Sequence, residues 1–159
     1  VVTVGTLMRG DRFNLAKASV DRTVSVNASV ELRPSPYDTA TGRVLLAFGT
    51  ESELRQVIDK HGLPGPEWEG VSTRQDLTRV LTPIRDATYA ERRSDDALSL
   101  AVPVRSSGGA LIAAVGAAAP AYRLDAGRRG EILDALRNAA QHMSARIALE
   151  APKEFSRNL

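Results

Sequence analysis

Residues 98–118 constrain the fold of this chain more than any other stretch. Two strand-like runs, 98–104 and 110–118, flank Arg105-Ser106-Ser107-Gly108-Gly109, and that link carries the glycines that tight hairpin turns require. A hairpin cannot bury its apolar face alone, so the remaining elements must cover it. Residues 1–32 supply further strands. Val2, Val4, Leu7 and Met8 precede the turn-like cluster Arg9-Gly10-Asp11-Arg12, with Phe13, Leu15 and Ala16 beyond it. Val20, Val24, Val26, Ala28, Val30 and Leu32 then recur mostly at period two, which aligns them on one sheet face. Arg33-Pro34-Ser35-Pro36 stops the pattern, because proline donates nothing to a ladder and constrains its predecessor.

Helical spacing follows. Residues 39–48 read as a short apolar helix. Thr50-Glu51-Ser52-Glu53 matches a capping box and opens a second helix through Ile58, ended by Gly62 and Pro64. The Pro- and Gly-rich stretch 62–70, which holds the single tryptophan Trp68, reads as a loop. Ser72 or Thr73 can cap a third helix carrying Leu77, Val80, Leu81 and Ile84. A long amphipathic helix occupies residues 126–149, with Ile132, Leu133, Leu136, Ala139, Ala140, Met143 and Ile147 on one stripe. Strands, then helices, then a hairpin and a last helix make an α+β pattern with mostly antiparallel strands. The expected domain covers residues 1–151, with 152–159 as a tail.

Composition excludes several classes of function. At 159 residues, 43% hydrophobic and 25% charged, the chain is long and apolar enough for one self-sufficient core. Its 21 basic residues against 19 acidic leave +2 and no dense basic stripe, which argues against this segment gripping nucleic acid. The absence of cysteine removes disulfides, thiol catalysis and thiolate zinc sites. No apolar run approaches the roughly 18–20 residues needed to span a bilayer. The opening Val1-Val2-Thr3-Val4 runs straight into strand-like sequence without an initiator Met, as expected of a piece of a longer protein.

Chemistry-bearing patterns are sparse. His61 precedes Gly62 at a helix C-terminus, where an imidazole commonly meets terminal carbonyls, and His142 lies in the last helix beside Gln141. No metalloprotease, nucleophile-elbow, Walker A or dinucleotide-binding string occurs. Asp95 and Asp96 read as loop acids, and Gly108-Gly109 as turn residues. The residues alone therefore leave a sensor, an interaction domain, or a small enzyme using Ser99 with a carboxylate as open readings.

Two ordered blocks narrow this. Thr39-Ala40-Thr41-Gly42-Arg43-Val44-Leu45-Leu46-Ala47-Phe48 resembles the small-small-x-Gly-basic-x-Leu-Leu-Ala segment of the IclR (isocitrate lyase regulator) effector domain. Leu100-Ala101-Val102-Pro103-Val104, the Gly-rich turn, the small-residue strand to Pro120, Arg123 and the long helix resemble its second block. Between them, residues 77–90 resemble the family's Leu-x-x-x-Leu-x-x-Ile-Arg helix and Gly-Tyr-Ala ending, with Thr88 in place of the glycine. The match covers nearly the whole chain.

The resemblance implies a GAF- or profilin-like curved antiparallel sheet of about six strands, and a winged helix-turn-helix outside this segment that carries DNA binding. It implies a small organic effector as ligand, self-association to a dimer or tetramer, a cytoplasmic setting, and neither cofactor nor metal. A GAF-like sensor of another signalling protein is the alternative. Carried over residue by residue, Ala40, Thr41 and Gly42 match amide-donating positions, and Ser99 a polar pocket position. Asp95 or its neighbour Asp96 matches the pocket acid, in a segment about three residues shorter than usual. Gly116 and Ala118 match two serines of glyoxylate-type sensors. Without those hydroxyls the pocket is expected to be larger and more apolar, suited to a bulkier or aromatic effector.

Overall fold

The computed structural model of the chain describes residues 1–21, 23–27, 31–33, 35–65, 68 and 70–150, with the backbone alone from 20 to 33. Strands β1 (Val2–Met8), β2 (Asp11–Asp21), β3 (Thr23–Asn27) and β4 (Glu31–Arg33) come first. Helices α1 (Ala40–Phe48), α2 (Glu51–His61) and α3 (Arg74–Ala87) follow, then β5 (Ala90–Arg93), β6 (Ala97–Arg105), β7 (Leu111–Pro120) and α4 (Ala126–Glu150). The strands form one antiparallel sheet in the order β3-β2-β1-β7-β6-β5, with β4 also on β2. The α+β architecture read from the sequence is the one observed. Ala28, Val30 and the tail 152–159 lie outside the described residues, as does the side-chain face of the Val20–Leu32 alternation.

Local chemistry explains the boundaries. Arg9 and Gly10 take positive φ (52° and 80°), the geometry of the tight turn that joins β1 to β2. Thr39 caps α1 by accepting from the Gly42 amide at 3.0 Å. The expected capping box at Thr50 and Glu53 is present, and a second one, Thr73 with Asp76, starts α3. Strand β5 escaped the sequence reading because Ala90-Glu91-Arg92-Arg93 shows no apolar alternation; pairing with β6 defines it.

The two central strands are covered on both faces, unequally. Towards α1–α3 the sheet presents small residues, Ala101 and Ala114, beneath Val44, Leu45, Leu77 and Leu81. Towards α4 it presents Leu100, Val102, Val104 and Val115 against Leu136 and Ala140. Each fully buried leucine or valine contributes about 1.5–3 kcal/mol of transfer free energy. Small residues on one face let α1 seat close to the sheet, whereas the bulk on the other spaces α4 away. None of the described helices is long and apolar enough to cross a membrane.

A polar clasp holds the β1–β2 tip to the end of α2. Lys60 Nζ donates to Asp11 Oδ2 at 2.5 Å, and His61 Nε2 stands 3.1 Å from both Gly10 O and Asp11 Oδ1. The hydrogen bond from Lys60 holds the Asp11 carboxyl below its ordinary range, against an opposing push from burial. The charge of Lys60 and the contacts of His61 add to the lowering.

Two predictions arise from these contacts. Thr88, at the C-cap of α3, sits at φ 61°, ψ 20°, a left-handed conformation costly for a β-branched residue. Thr88→Gly is expected to stabilise the chain by roughly 0.5–1 kcal/mol in urea unfolding, net of the entropy glycine adds to the unfolded chain. A depressed Asp11 pKa means stability that is complete above the unfolded value near ~3.9 and is lost as pH falls through the lower folded value. Acid unfolding of Asp11→Asn should therefore show a shallower loss of stability than wild type in that window; parallel curves would remove the clasp from the acid response.

Candidate functional site

A cavity of about 410 Å³ opens at the N-terminal end of α1, between α1, β1, β2, β6 and β7. Antiparallel register decides which side chains reach it. Thr3 pairs with Lys17 on one side and Gly116 on the other, and Ser99 pairs with Ala118. All of these line the cavity. Arg12 and Asn14 line it too, although both stand at odd offsets from Lys17, which in a regular strand would face the other side. The ladder shifts register between Val4 and Gly5, so that Leu15 is an extra residue in β2. This bulge returns Lys17 to the face used by Arg12 and Asn14.

Arg12, Asn14 and Thr41 are the buried polar side chains of the described core, at 4%, 3% and 4% exposure. Arg12 Nη1 donates to Asn14 Oδ1 at 2.9 Å and to Thr41 Oγ1 at 3.0 Å. Thr41 Oγ1 lies 3.3 Å from Thr39 Oγ1, which joins the helix cap to this chain of contacts. A guanidinium charge thus stands beside the start of a helix, where the first amides have no intrahelical partner and the backbone carries partial positive charge. Lys17 adds a second cation, and Asp38 a carboxylate on the lining. The arrangement can receive an anionic group at the Arg12 end. Neither His61 nor His142 lines the cavity.

Of the residues singled out in the sequence, Ala40, Thr41, Ser99, Gly116 and Ala118 come together on this cavity, and Gly42 and Asp95 do not. The Gly42 amide is taken by Thr39, and a Cβ at Gly42 would run into the Pro36 carbonyl, so this glycine serves the close approach of chain to helix. Asp95 and Asp96 are exposed in the β5–β6 turn. Among the described residues, Asp38, adjoining the α1 cap, is the acid on the cavity lining.

Gly116 behaves differently from the expectation as well. A Cβ there would stand 2.7 Å from Thr41 Cγ2 and 2.8 Å from the Leu100 carbonyl oxygen. The volume left by the missing side chain is filled by the Thr41 methyl, so Gly116 adds no room. Nor is the lining stripped of hydrogen-bonding groups: Thr3, Arg12, Asn14, Thr39, Thr41 and Ser99 supply them. The expected apolar character is revised accordingly. Sequence reading missed Arg12, Asn14, Lys17 and Asp38. The available signal was Arg12-x-Asn14 at strand spacing beside Phe13, a polar pair on a face that must be buried. A second hollow, of about 450 Å³ between α4 and β6 and lined by Arg105 and Arg137, contains none of the expected effector-binding residues.

The family described as bacterial transcriptional regulator IclR C-terminal matches residues 1–145. The HTH-type transcriptional regulator KdgR of Escherichia coli (strain K12) is 29% identical over 114 residues, 70% of this chain and 43% of KdgR. The chain thus spans less than half the length of that relative. Among solved structures, IclR of Thermotoga maritima superposes with a TM-score of 0.73 at 21% identity, covering 92% of this chain and 61% of that one. The inducer-binding domain of PobR from Acinetobacter, a double mutant in complex with 3-hydroxybenzoic acid, gives 0.70 at 22% identity, covering 90% and 86%. At these identities the solved structures show a shared fold.

The Thr41–Gly116 contact generates a test. Gly116→Ala is expected to destabilise the chain by about 1–3 kcal/mol through overpacking. Adding Thr41→Ser, which removes Cγ2 and keeps Oγ1 for Arg12, should recover part of that loss in a double-mutant cycle. Strict additivity would mean that the two side chains do not share this space.

Proposed function

This chain belongs to the IclR C-terminal family of bacterial transcriptional regulators, and from that premise we propose that it senses a small organic acid in the cavity at the start of α1. The observation that carries this reading is the buried Arg12–Asn14–Thr41 group on the cavity wall. A guanidinium on the cavity wall can give a ligand carboxylate charge-assisted hydrogen bonds. The amides of Ala40 and Thr41 add donors of the same polarity, and Ser99 a hydroxyl. Ala40 and Ala118 offer apolar surface for the body of the ligand. An aromatic acid of the kind held by the PobR domain fits that division of the cavity into a charged end and an apolar wall.

Occupancy would favour one arrangement of α1 against the sheet, and the regulator's DNA-binding state would follow that preference. DNA contact itself is assigned to a winged helix-turn-helix elsewhere in the protein, in keeping with KdgR's description as an HTH-type regulator and with the share of its length matched here. Self-association is proposed as part of the role. Tyr122, Ile147 and Leu149 are exposed apolar side chains around and along α4 that a second copy could cover. A cytoplasmic location accompanies this role.

A thermal-shift panel of aliphatic, hydroxy-aromatic and sugar acids tests the proposal. A ligand at 100 times its Kd adds about 2.7 kcal/mol to stability, a rise of order 5 °C for a domain of this size. One acid class is expected to give that saturable rise. Ala118→Leu, which fills the apolar wall and leaves the polar group intact, should abolish it, and Arg12→Gln should weaken it. A panel without a shift, or a shift that survives both variants, would overturn the reading.

A further inference from the structure

Both walls of the cavity are fastened to the same point behind it. On the strand side, Asp11 immediately precedes Arg12, and it is held by Lys60 and His61 from the last turn of α2. The tip of that hairpin also lies directly on α2: a Cβ at Gly10 would stand 2.6 Å from the Gln56 carbonyl oxygen. On the helix side, Tyr37 immediately precedes Asp38 and Thr39. Its hydroxyl donates at 2.7 Å to the carbonyl of Gly62, the C-cap of α2. Tyr37 is 3% exposed, and burial pushes its hydroxyl up to about 12. Trp68 fixes the same residue from the other side, its Nε1 donating to the Tyr37 carbonyl at 2.9 Å, with the two rings edge to face.

Three consecutive residues, Lys60, His61 and Gly62, therefore support the strand that carries Arg12 and the turn that leads into α1. The walls touch each other inside the molecule at the Arg12–Thr41 hydrogen bond. Their second connection runs outside the cavity, through the end of α2.

We propose that the C-terminal end of α2, Lys60-His61-Gly62, is the positioning element of this cavity, setting the spacing of its two walls and coupling the attachment of α2 to ligand occupancy. The coupling to occupancy rests on the reading of the cavity as the effector site; the spacing of the walls does not. A ligand that draws Arg12 towards the α1 amides loads both contacts at once, and a change at the end of α2 moves both walls together. The three residues act through Asp11 and Tyr37 and touch no ligand. A purely structural role, stabilising each wall separately, predicts local effects only.

Amide hydrogen exchange on the folded chain without ligand separates the two cases. Lys60→Met loosens Asp11, and Tyr37→Phe removes the bond to Gly62. Each variant is expected to speed exchange about tenfold on the wall it does not touch as well as on its own. For Lys60→Met the far wall is Ala40 to Val44, at the start of α1. For Tyr37→Phe it is Arg12 to Asn14 in β2. Arg79→Ala on the surface of α3 serves as the control and should alter neither. Acceleration confined to the nearer wall in both variants would overturn the proposal. If Tyr37→Phe fails to fold, Lys60→Met decides alone. Titration with 3-hydroxybenzoate as the probe supplies the second readout. A wild-type chain that binds it should lose affinity on Lys60→Met, and unchanged affinity would overturn the coupling. A wild-type chain that binds neither this probe nor any acid of the panel would remove the effector reading and with it the coupling to occupancy, while the exchange data still decide how the walls are held.

Discussion

The seat of α1 on the sheet governs the rest of the molecule. The helix rests on Ala101, Ala114 and Gly116, and at Gly116 the Thr41 methyl fills the place of a side chain. This close approach brings the Thr41 hydroxyl to Arg12, sets the first turn of the helix at the cavity, and lets Val44, Leu45 and Ala47 enter the core shared with α3. A larger residue at Gly116 would lift the helix and separate the contacts that define the site. The dimensions of the cavity are in this sense a by-product of packing density beneath α1.

Burying Arg12 requires compensation, since a guanidinium withdrawn from water is stable only where acceptors replace its hydration. Asn14 and Thr41 supply neutral acceptors. The guanidinium brings positive charge to the cavity wall, which favours an anion there. The α1 start points its dipole the same way. Charge and helix geometry thus agree on one end of the ligand, and the alanine wall on the other.

Much of this fold was legible because its local signals are self-contained. The capping box at Thr50, the Gly-rich turn after Arg105 and the stripe on α4 each announce one element without reference to any other. What stayed hidden depends on partners. Strand β5 exists through its pairing with β6, and Thr88 adopts left-handed geometry that glycine would otherwise signal. At the site, the small residues were visible as a group, yet two glycines of that group serve close packing instead of lining open space. Arg12 hid behind the apparent turn Arg9-Gly10-Asp11-Arg12, because the turn is two residues long and the strand resumes at Asp11. Asp95 illustrates the opposite failure: matched by position, it lies in a turn away from the cavity, and Asp38 occupies the lining.

The bulge at Leu15 gives strand β2 a property that no single side chain has. Because it sets which residues beyond it share a face with Arg12 and Asn14, the charge on the cavity wall is encoded partly in pairing register. Deleting Leu15 would leave Lys17 opposite Thr3, whereas drawing Leu15 into the regular ladder with nothing deleted would turn Lys17 to the opposite side of the sheet while Arg12 and Asn14 kept their places. A change of that kind alters the polarity of the chamber without exchanging one amino acid type for another. Among relatives of this fold, gain or loss of this bulge is therefore a route to new ligand preference that a comparison of residue identities alone would overlook.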